Sequence, residues 1–287
     1  METAELINGI STRVLGDTGV RLTVLGIGGY HIGEPSDAQV GIRIIRTAID
    51  EGINFLDNAW CYNQGRSEEI MGDALKNGYR KKVFLMTKNH GRDKLTFQRQ
   101  LDDSLRRLQT DHIDLLQFHE IIHGGEPEQI FSQGAIEEAI EAREAGKIRF
   151  IGFTGHHWPH LFQEMLAKDF SWDTIQFPTN LLDAHFRSFT KQILPVARKR
   201  GIGIIGMKSL AGGDILKANV TPEEAITYAL SLPIDTLVSG IDSLEVLAQN
   251  LKIVRSWRPL SEDKRNTLLE KIAPIASDGH LEWYKTG

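Results

Sequence analysis

Short apolar runs alternate with longer amphipathic segments along most of this chain. The runs are continuous rather than interrupted by polar residues, as expected of parallel strands buried on both faces. They are LTVLGIG (22–28), INFLD (53–57), VFLMTK (83–88), IDLLQFH (113–119), IRFIGFT (148–154), TIQFP (174–178), GIGIIGM (201–207) and DTLVSG (235–240). Between them lie helical patterns such as DAQVGIRIIRTAIDEG (37–52) and LTFQRQLDDSLRRL (95–108). Strands that each precede a helical segment, repeated through 287 residues, predict an α/β fold, a (β/α)8 TIM barrel.

An open, doubly wound parallel sheet is the alternative architecture. It is disfavoured because no GxGxxG fingerprint opens the first helix in the required strand–turn–helix context. The glycine-rich segment GIGGYHIG (26–33) is followed by Pro35 and Ser36 rather than directly by a helix. The barrel is therefore the preferred prediction.

Two smaller elements lie outside the barrel pattern. The segment STRVLGDTGVRL (11–22) predicts a β-hairpin turning between Gly16 and Gly19, placed to plug the bottom of the barrel. Residues 261–287 predict one more helix and a polar tail carrying Trp283 and Tyr284. We expect a single domain over residues 1–287, made of the hairpin 11–22, the barrel 22–255 and a C-terminal extension 256–287.

Composition and charge exclude several classes of function. A formal net charge of −5 and a pI near 6.1 give no basic stripe for nucleic acid. The single cysteine, Cys61, allows no disulfide within the chain and suits a reducing compartment. Residues 1–20 lack an apolar signal core, and no window approaches the roughly 20 apolar residues of a membrane span. We expect a cytoplasmic protein with a small-molecule partner; its oligomeric state stays open.

Three ionisable residues close successive predicted strands. Asp57, Lys88 and His119 end the second, third and fourth runs, and each lies 31 residues after the one before. Equal phase on adjacent strands predicts that all three side chains meet at one rim, where barrel enzymes carry their catalytic groups. A structural ion-pair network is the alternative for this trio.

Tyr62 follows Asp57 in an aromatic-rich loop and completes a candidate proton-transfer site. A free phenol has a pKa near 10, and a nearby Lys88 ammonium would favour the phenolate and lower that pKa. Asp57 would hold Lys88 charged and aimed, and His119 would orient a substrate oxygen. The set suits protonation of a carbonyl oxygen while another group delivers hydride.

At these residues the sequence resembles the aldo-keto reductase family over roughly residues 11–255. Its aspartate–tyrosine motif matches Asp57, Ala59, Tyr62, Gly65, Ser67 and Glu68, followed by Gly72 and Ala74-Leu75. Lys88 and DSLRRLQTDHIDLLQFH (103–119) complete the match. The resemblance implies a TIM barrel that uses NADPH or NADH to interconvert carbonyls and alcohols. It also implies that Asp57, Tyr62, Lys88 and His119 are catalytic, with Tyr62 as the proton donor in reduction.

The same resemblance implies a cofactor site along the strand ends. Thr154-Gly155 stands where the family has Ser-Asn, so we expect His156 to compensate for the missing amide. Met207 replaces the aromatic residue that stacks on the nicotinamide in many members, and Lys208 and the following glycines are expected at the pyrophosphate. The implied cofactor-binding residues are Gly28, Gly29, Asp57, Thr154, Gly155, Gln176, Met207, Lys208, Ser209, Leu210, Gly212, Gly240, Asp242, Ser243 and Asn250.

The adenosine end of that site departs from NADP-specific members. NADP-specific members often carry Lys at the position of Gly240 and Arg at the position of Val246. This chain lacks both cations, and Asp242 adds negative charge nearby. A 2′-phosphate prefers a cationic clamp. NADP(H) is nevertheless the favoured cofactor, because other loops could supply the charge, and NAD(H) is the second choice.

Other side chains leave further alternatives. Tyr30, Trp60 and His119 are expected to line the substrate pocket, whereas Cys61 is interpreted as a small packed residue. No metal site is predicted, because His156, His157 and His160 have no carboxylate to complete a ligand set. The alternative functions are a nucleotide-binding regulatory subunit with little turnover and a Schiff-base lyase that uses Lys88 or Lys208.

Overall fold

The structure of this chain, a computed structural model, describes residues 5–286. A three-stranded antiparallel sheet precedes a closed barrel of eight parallel strands, in which each strand pairs with the strands before and after it in the chain and the last pairs with the first. This topology confirms the predicted (β/α)8 fold. The first sheet consists of β1 (Leu6–Ile7), β2 (Ile10–Val14) and β3 (Arg21–Thr23). The barrel strands are β4 (Leu25–Gly28), β5 (Phe55–Asp57), β6 (Phe84–Asn89), β7 (Ile113–Phe118), β8 (Ile148–Thr154), β9 (Thr174–Pro178), β10 (Gly203–Met207) and β11 (Thr236–Gly240).

Helices surround the barrel and cover its outer face. They are α1 (Ala38–Asp50), α2 (Arg66–Ala74), α3 (Lys94–Leu108), α4 (Glu126–Ser132), α5 (Ala135–Glu144), α6 (Pro159–Ala167), α7 (Phe189–Gln192), α8 (Leu194–Lys199), α9 (Pro222–Ser231), α10 (Leu244–Ser256), α11 (Glu262–Ala276) and α12 (Trp283–Thr286). Short 3-10 segments occupy Gly16–Thr18, His31–Gly33, Tyr62–Gly65, Tyr79–Lys82 and Ala211–Ala218. Within residues 5–286, no helix combines the length and apolar character needed to cross a membrane.

Local sequence signals fix where the helices begin. The Asp37 carboxylate accepts a hydrogen bond from the backbone N–H of Gln39 at the start of α1, and Asp93 does the same for Thr96 in α3. These side chains satisfy backbone donors that a helix N-terminus leaves unpaired. The chain leaves α1 through Gly52, whose φ of 104° suits glycine.

The hairpin closes the N-terminal end of the barrel, as the sequence predicts. Its strands pair Thr12 with Thr23. Leu15 and Leu22 are fully buried and pack against the side chains inside the barrel. Gly16 is required at the turn, because a Cβ there would approach the backbone nitrogen of Gly203 to 2.3 Å.

The C-terminal extension differs from the predicted polar tail. After α11 the chain forms α12, and Glu282 and Lys285 are only 1% and 0% exposed. The prediction of a polar tail fails because these charges pair with each other and with groups of the barrel loops, described below. The sequence shows that this segment carries charged residues, but whether those residues are buried depends on partners from other parts of the chain.

We expect Leu22→Ala to destabilise the fold by about 2–5 kcal/mol, because it opens a cavity between the hairpin and the barrel interior. Urea unfolding followed by circular dichroism measures this free energy. Leu95→Ala is the matched control, since Leu95 is 76% exposed and should change stability little. Equal effects of the two substitutions would show that the hairpin does not seal the barrel.

Candidate active site

The three strand-end residues meet at one rim, as their spacing predicts. Asp57 is the last residue of β5, Lys88 is the penultimate residue of β6, and His119 directly follows β7. Their exposures are 3%, 1% and 7%. Because β5, β6 and β7 are consecutive neighbours in the barrel, the side chains share the end at which the strands finish.

The Lys88 ammonium is the centre of this group. It forms an ion pair with Asp57 Oδ1, lies 2.8 Å from the carbonyl oxygen of Asn58 and 3.3 Å from the Tyr62 hydroxyl. The second oxygen of Asp57 accepts a hydrogen bond of 2.8 Å from Gln176 Nε2. Each of the three protons of the buried ammonium can therefore point to an oxygen atom, and the Tyr62 hydroxyl provides one of these oxygens.

A strained loop brings Tyr62 to Lys88. The residues after Tyr62 adopt left-handed conformations, with φ of 49° at Asn63 and 58° at Gln64. The Asn63 amide donates to the carbonyl oxygen of Tyr30 at 2.7 Å and to Ser67 Oγ at 2.9 Å. Non-glycine residues in this region cost about 1–3 kcal/mol each and persist where neighbouring contacts hold them. The loop geometry thus fixes the phenol over the rim.

The pKa of Tyr62 moves opposite to the sequence prediction. Burial raises this pKa well above its ordinary value, and the negative charge of Asp57 raises it further. The expected lowering of the pKa by Lys88 is wrong here, because burial opposes ionisation of the phenol and the nearby Asp57 carboxylate opposes it further. Tyr62 is accordingly a protonated phenol at neutral pH, a state that can donate a proton.

His119 is a neutral imidazole facing two other polar groups. Burial and the charge of Lys88 hold the pKa of His119 well below its ordinary value. Its Nδ1 lies 2.9 Å from His90 Nε2 and 3.6 Å from Cys61 Sγ. Its Nε2 makes no hydrogen bond to any residue in the range 5–286, so this nitrogen is available to a ligand.

Sequence reasoning missed His90 as part of this site and treated Cys61 as packing alone. Cys61 Sγ lies 3.1 Å from His90 Nε2, and these atoms together with His119 Nδ1 lie within 4.8 Å of one another. A signal was present in the sequence, because all three residues come within four positions after the ends of β5, β6 and β7. Burial raises the pKa of the Cys61 thiol to about 11, which agrees with a residue that is no free nucleophile.

The cofactor residues predicted on strands lie near the same rim. Thr154 is the last residue of β8 and is buried. Gln176 lies in β9, and its amide nitrogen donates a hydrogen bond to the Asp57 carboxylate. Gln176 Oε1 is buried without a hydrogen-bond partner among residues 5–286. An orphaned buried acceptor is costly unless a donor completes it. A carboxamide N–H2 group is a donor of the right kind, so this part of the site fits the expected cofactor.

Two of the predicted cofactor glycines are needed for packing. A Cβ on Gly29 would come within 2.7 Å of the Asn58 side chain, and one on Gly155 within 2.6 Å of the Ile121 carbonyl oxygen. Gly28 is less crowded, its nearest atom lying at 3.1 Å. Glycine at positions 29 and 155 therefore has a structural reason, and cofactor contact there stays a prediction.

The loop after β10 lies beneath the C-terminal helix. Of the predicted cofactor residues, Met207 ends β10, and the loop carries Lys208, Ser209, Leu210 and Gly212. The Lys208 ammonium lies 4.8 Å from the ring centroid of Tyr284 and makes no hydrogen bond within the described range. Burial lowers the pKa of Lys208. In this structure its charge thus faces an aromatic ring, and contact with a pyrophosphate stays a prediction.

A buried polar network fastens α12 over the rim. Tyr284 donates to Glu282 Oε1 at 2.8 Å and accepts from Asn180 Nδ2 at 2.9 Å. The Lys285 ammonium lies 2.7 Å from Asp183 Oδ1 and 3.1 Å from Glu282 Oε2. The tail is therefore a wall of the candidate site rather than a free terminus.

His156 has partners other than those that the sequence suggested. Its Nδ1 lies 2.7 Å from the carbonyl oxygen of Tyr284, and its Nε2 forms a short contact with Glu120 Oε1. Both ring nitrogens are thus engaged, which speaks against His156 replacing the missing amide of the family. Burial works against ionisation of Glu120, yet His156 lowers the pKa of that carboxyl to about 2.

The predicted adenosine end lies at the start of α10. Ser243 caps this helix by accepting a hydrogen bond from the Val246 N–H at 3.3 Å, and Asn250 Nδ2 donates to Ser239 Oγ at 3.1 Å. A Cβ on Gly240 would lie 2.4 Å from the His31 ring. Asp242 and Glu245 place carboxylates beside the helix start.

The two aromatic residues predicted for the pocket differ in their surroundings. Tyr30 is 49% exposed and sets its ring at 87° to Tyr62, with centroids 5.5 Å apart. Trp60 directs its indole nitrogen toward Asp103 at 3.4 Å, and its ring contacts the Arg107 guanidinium. Tyr30 thus lies at the rim, whereas the contacts of Trp60 are with α3 and its pocket role stays a prediction.

This chain belongs to the aldo-keto reductase family: the profile described as the Aldo/keto reductase family matches residues 24–270. Its fold is similar to that of the aldo-keto reductase AKR11C1 from Bacillus halodurans in its holo form. The two share a TM-score of 0.77 and 23% identity over 91% of this chain and 96% of the other.

Curated relatives support the same family. The uncharacterized oxidoreductase YrpG of Bacillus subtilis is 34% identical over 69% of this chain, and the aldo-keto reductase YhdN of the same organism is 32% identical over 73%. The matches span 66% and 64% of those proteins, just under two thirds of their length. L-galactose dehydrogenase of Arabidopsis thaliana is 30% identical over 96% of this chain and 97% of its own.

Replacing Glu120 with Gln should change how stability depends on pH. The folded-state pKa, about 2, lies below the ordinary value of 4.5, so the carboxylate adds stability above about pH 4.5 and loses it as the pH falls toward 2. We expect the difference in unfolding free energy between the parent protein and Glu120→Gln to shrink over that interval. Urea unfolding at a series of pH values measures it.

Glu128→Gln, which removes an exposed carboxylate of α4, is the control for general loss of charge. A difference between the parent and Glu120→Gln that stays constant as the solution is acidified would contradict the assigned pairing of Glu120 with His156.

Proposed function

We propose that this protein is an NAD(P)H-dependent oxidoreductase that reduces aldehydes or ketones to alcohols, or catalyses the reverse, with Tyr62 as the general acid or base. The observation that supports this most directly is the partly buried contact of 3.3 Å between the Lys88 ammonium and the Tyr62 hydroxyl, together with the ion pair of Lys88 and Asp57. His119 stands beside the phenol, with ring centroids 5.6 Å apart. These four side chains form a single proton-handling group.

Tyr62 gives its proton to the carbonyl oxygen of the substrate as that oxygen gains negative charge. Its raised pKa keeps the phenol protonated until then. Lys88 lies close enough to stabilise the phenolate that the proton transfer leaves behind. A positive charge stabilises a neighbouring anion strongly where water is excluded. Asp57 keeps the ammonium in place. In the reverse direction the phenolate takes the proton of the alcohol.

His119 positions the substrate oxygen in this proposal. Because its pKa is lowered by burial, the ring stays neutral and carries one N–H. Its Nδ1 faces His90 and Cys61, so Nε2 is the nitrogen free to donate to a carbonyl oxygen. A neutral imidazole orients the substrate without competing with Tyr62 as the acid.

The residues of the rim fit a nicotinamide nucleotide, which would supply the hydride. Gln176 Oε1 offers an unsatisfied acceptor for its carboxamide, and Lys208 offers a cation without an anionic partner in the described range. The residues proposed to bind this cofactor are the separate positions predicted from the sequence, of which Gly28 is the first and Asn250 the last. Substrate access depends on α12 and on Tyr30, which border the rim.

The Schiff-base alternative is weakened at one lysine and open at the other. The nitrogen of Lys88 contacts Asp57, Asn58 and Tyr62, so attack on a carbonyl would break contacts that hold this side chain in place. Lys208 has no such partners, and burial lowers its pKa. Borohydride reduction that fixes substrate covalently to Lys208 would favour a lyase.

Tyr62→Phe should lower kcat by about 10²- to 10⁴-fold, because it removes the proton donor and leaves the ring in place. Cofactor binding, followed by nucleotide fluorescence, should stay the same. The assay is cofactor oxidation with a panel of aldehydes, ketones and sugars; a sugar belongs in it because one relative is named L-galactose dehydrogenase.

Tyr79→Phe is the matched control for Tyr62→Phe. Tyr79 donates its hydroxyl proton to the carboxylate of Asp50 on the outside of the barrel, so its loss should leave turnover intact. Full activity of Tyr62→Phe on every substrate would remove the proposed role of the phenol. Negligible turnover of the unmodified protein, despite tight cofactor binding, would favour the regulatory-subunit alternative.

The charge at the start of α10 should control the choice between NADPH and NADH. Asp242→Asn removes a carboxylate beside the predicted adenosine site, so we expect KM for NADPH to fall a few-fold relative to KM for NADH. Asp263→Asn, at the start of α11, is the control for charge loss elsewhere. An unchanged ratio would place the 2′-phosphate away from Asp242.

A further inference from the structure

We propose that Cys61 Sγ, His90 Nε2 and His119 Nδ1 form a binding site for Zn²⁺. The three atoms form a triangle with edges of 3.1 Å between Cys61 and His90, 2.9 Å between the two histidines and 3.6 Å between Cys61 and His119. The site rests on these ligand atoms and does not depend on the proposed function.

The size of the triangle suits tetrahedral zinc. Zn–S bonds of about 2.3 Å and Zn–N bonds of about 2.0–2.1 Å place neighbouring ligand atoms about 3.3–3.6 Å apart. The edges of the triangle reach that range after shifts of a few tenths of an ångström. One thiolate and two imidazoles are a ligand set that zinc accepts, with the fourth position left to water.

The backbone holds two of the three ligands in place before a metal arrives. The backbone N–H of His90 donates to Gln100 Oε1 at 2.7 Å, and the backbone N–H of His119 donates to the Asn89 carbonyl oxygen at 2.8 Å. Cys61 opens the short helical segment that carries Tyr62. His90 and His119 directly follow two neighbouring barrel strands and Cys61 lies four residues after a third, so the ligands need little reorganisation to close around an ion.

Binding balances in charge and protons. The Cys61 thiol loses its proton to water, and the thiolate takes one coordination position of the ion. The two neutral imidazoles give lone pairs from His90 Nε2 and His119 Nδ1 and lose no proton in doing so. Metal binding therefore releases a proton to solvent and leaves a local excess of one positive charge.

A metal on Nδ1 would settle the tautomer of His119. The proton of a neutral imidazole would then lie on Nε2, the nitrogen left free on the other side of the ring. This consequence, and only this one, rests on the proposed function, in which Nε2 donates to the substrate oxygen. The ion would act behind His119 rather than on the substrate.

Titration of the metal-free protein with Co²⁺, a spectroscopic substitute for Zn²⁺, tests the site without measuring turnover. We expect about one equivalent to give a thiolate-to-cobalt charge-transfer band with tetrahedral ligand-field bands, both abolished by Zn²⁺. Cys61→Ser should remove the charge-transfer band. His90→Gln should weaken binding at least about tenfold, since even residues that only support metal ligands contribute that much.

His112→Gln is the matched control, because His112 is an exposed histidine paired with Asp111 and should leave binding unchanged. Absence of the charge-transfer band in the unmodified protein, its persistence in Cys61→Ser, or unweakened binding in His90→Gln would each overturn the proposal. Cys61 is the only cysteine, so alkylation provides a second measurement that needs no variant. Zn²⁺ should slow alkylation severalfold, and an unchanged rate would also overturn the site.

Discussion

The ion pair between Lys88 and Asp57 is the interaction on which the candidate site depends. Both side chains are almost fully buried, and neither charge is stable there without the other. Removing one partner of such a pair costs roughly 3–5 kcal/mol, because the remaining charge stays buried and unpaired. The pair also joins β5 to β6 and sets the positions of Tyr62 and Gln176, which bond to its two ends. The proposed proton transfer and the stability of the barrel thus depend on the same contact.

A second buried pair governs the opposite wall of the site. Lys285 and Asp183 are both fully buried, and together with Glu282 they attach α12 to the loop after β9. The aromatic rings of α12 then cover Lys208. The C-terminal segment therefore shapes the entrance of the candidate site through charges that look like surface residues in the sequence.

The pKa of Tyr62 shows where a pairwise argument fails. Considering Lys88 alone predicts a lowered pKa, but burial of the phenol raises this pKa most, and the negative charge of Asp57 raises it further. A phenol that keeps its proton suits reduction, in which the developing charge on the substrate oxygen draws the proton away.

The order of residues along the chain is enough to predict the barrel, the hairpin and the shared rim of Asp57, Lys88 and His119. These depend on local periodicity and on equal spacing along the chain, and both are preserved when the chain folds. The direction of the Tyr62 pKa shift, the partners of His156 and Lys208, and the cluster of Cys61 with His90 became visible only in the folded molecule. Those properties arise from burial and from atoms on different strands coming within a few ångströms, which no local pattern records. The tail illustrates the difference most clearly, because Glu282 and Lys285 read as solvent-facing until their partners from distant loops are known.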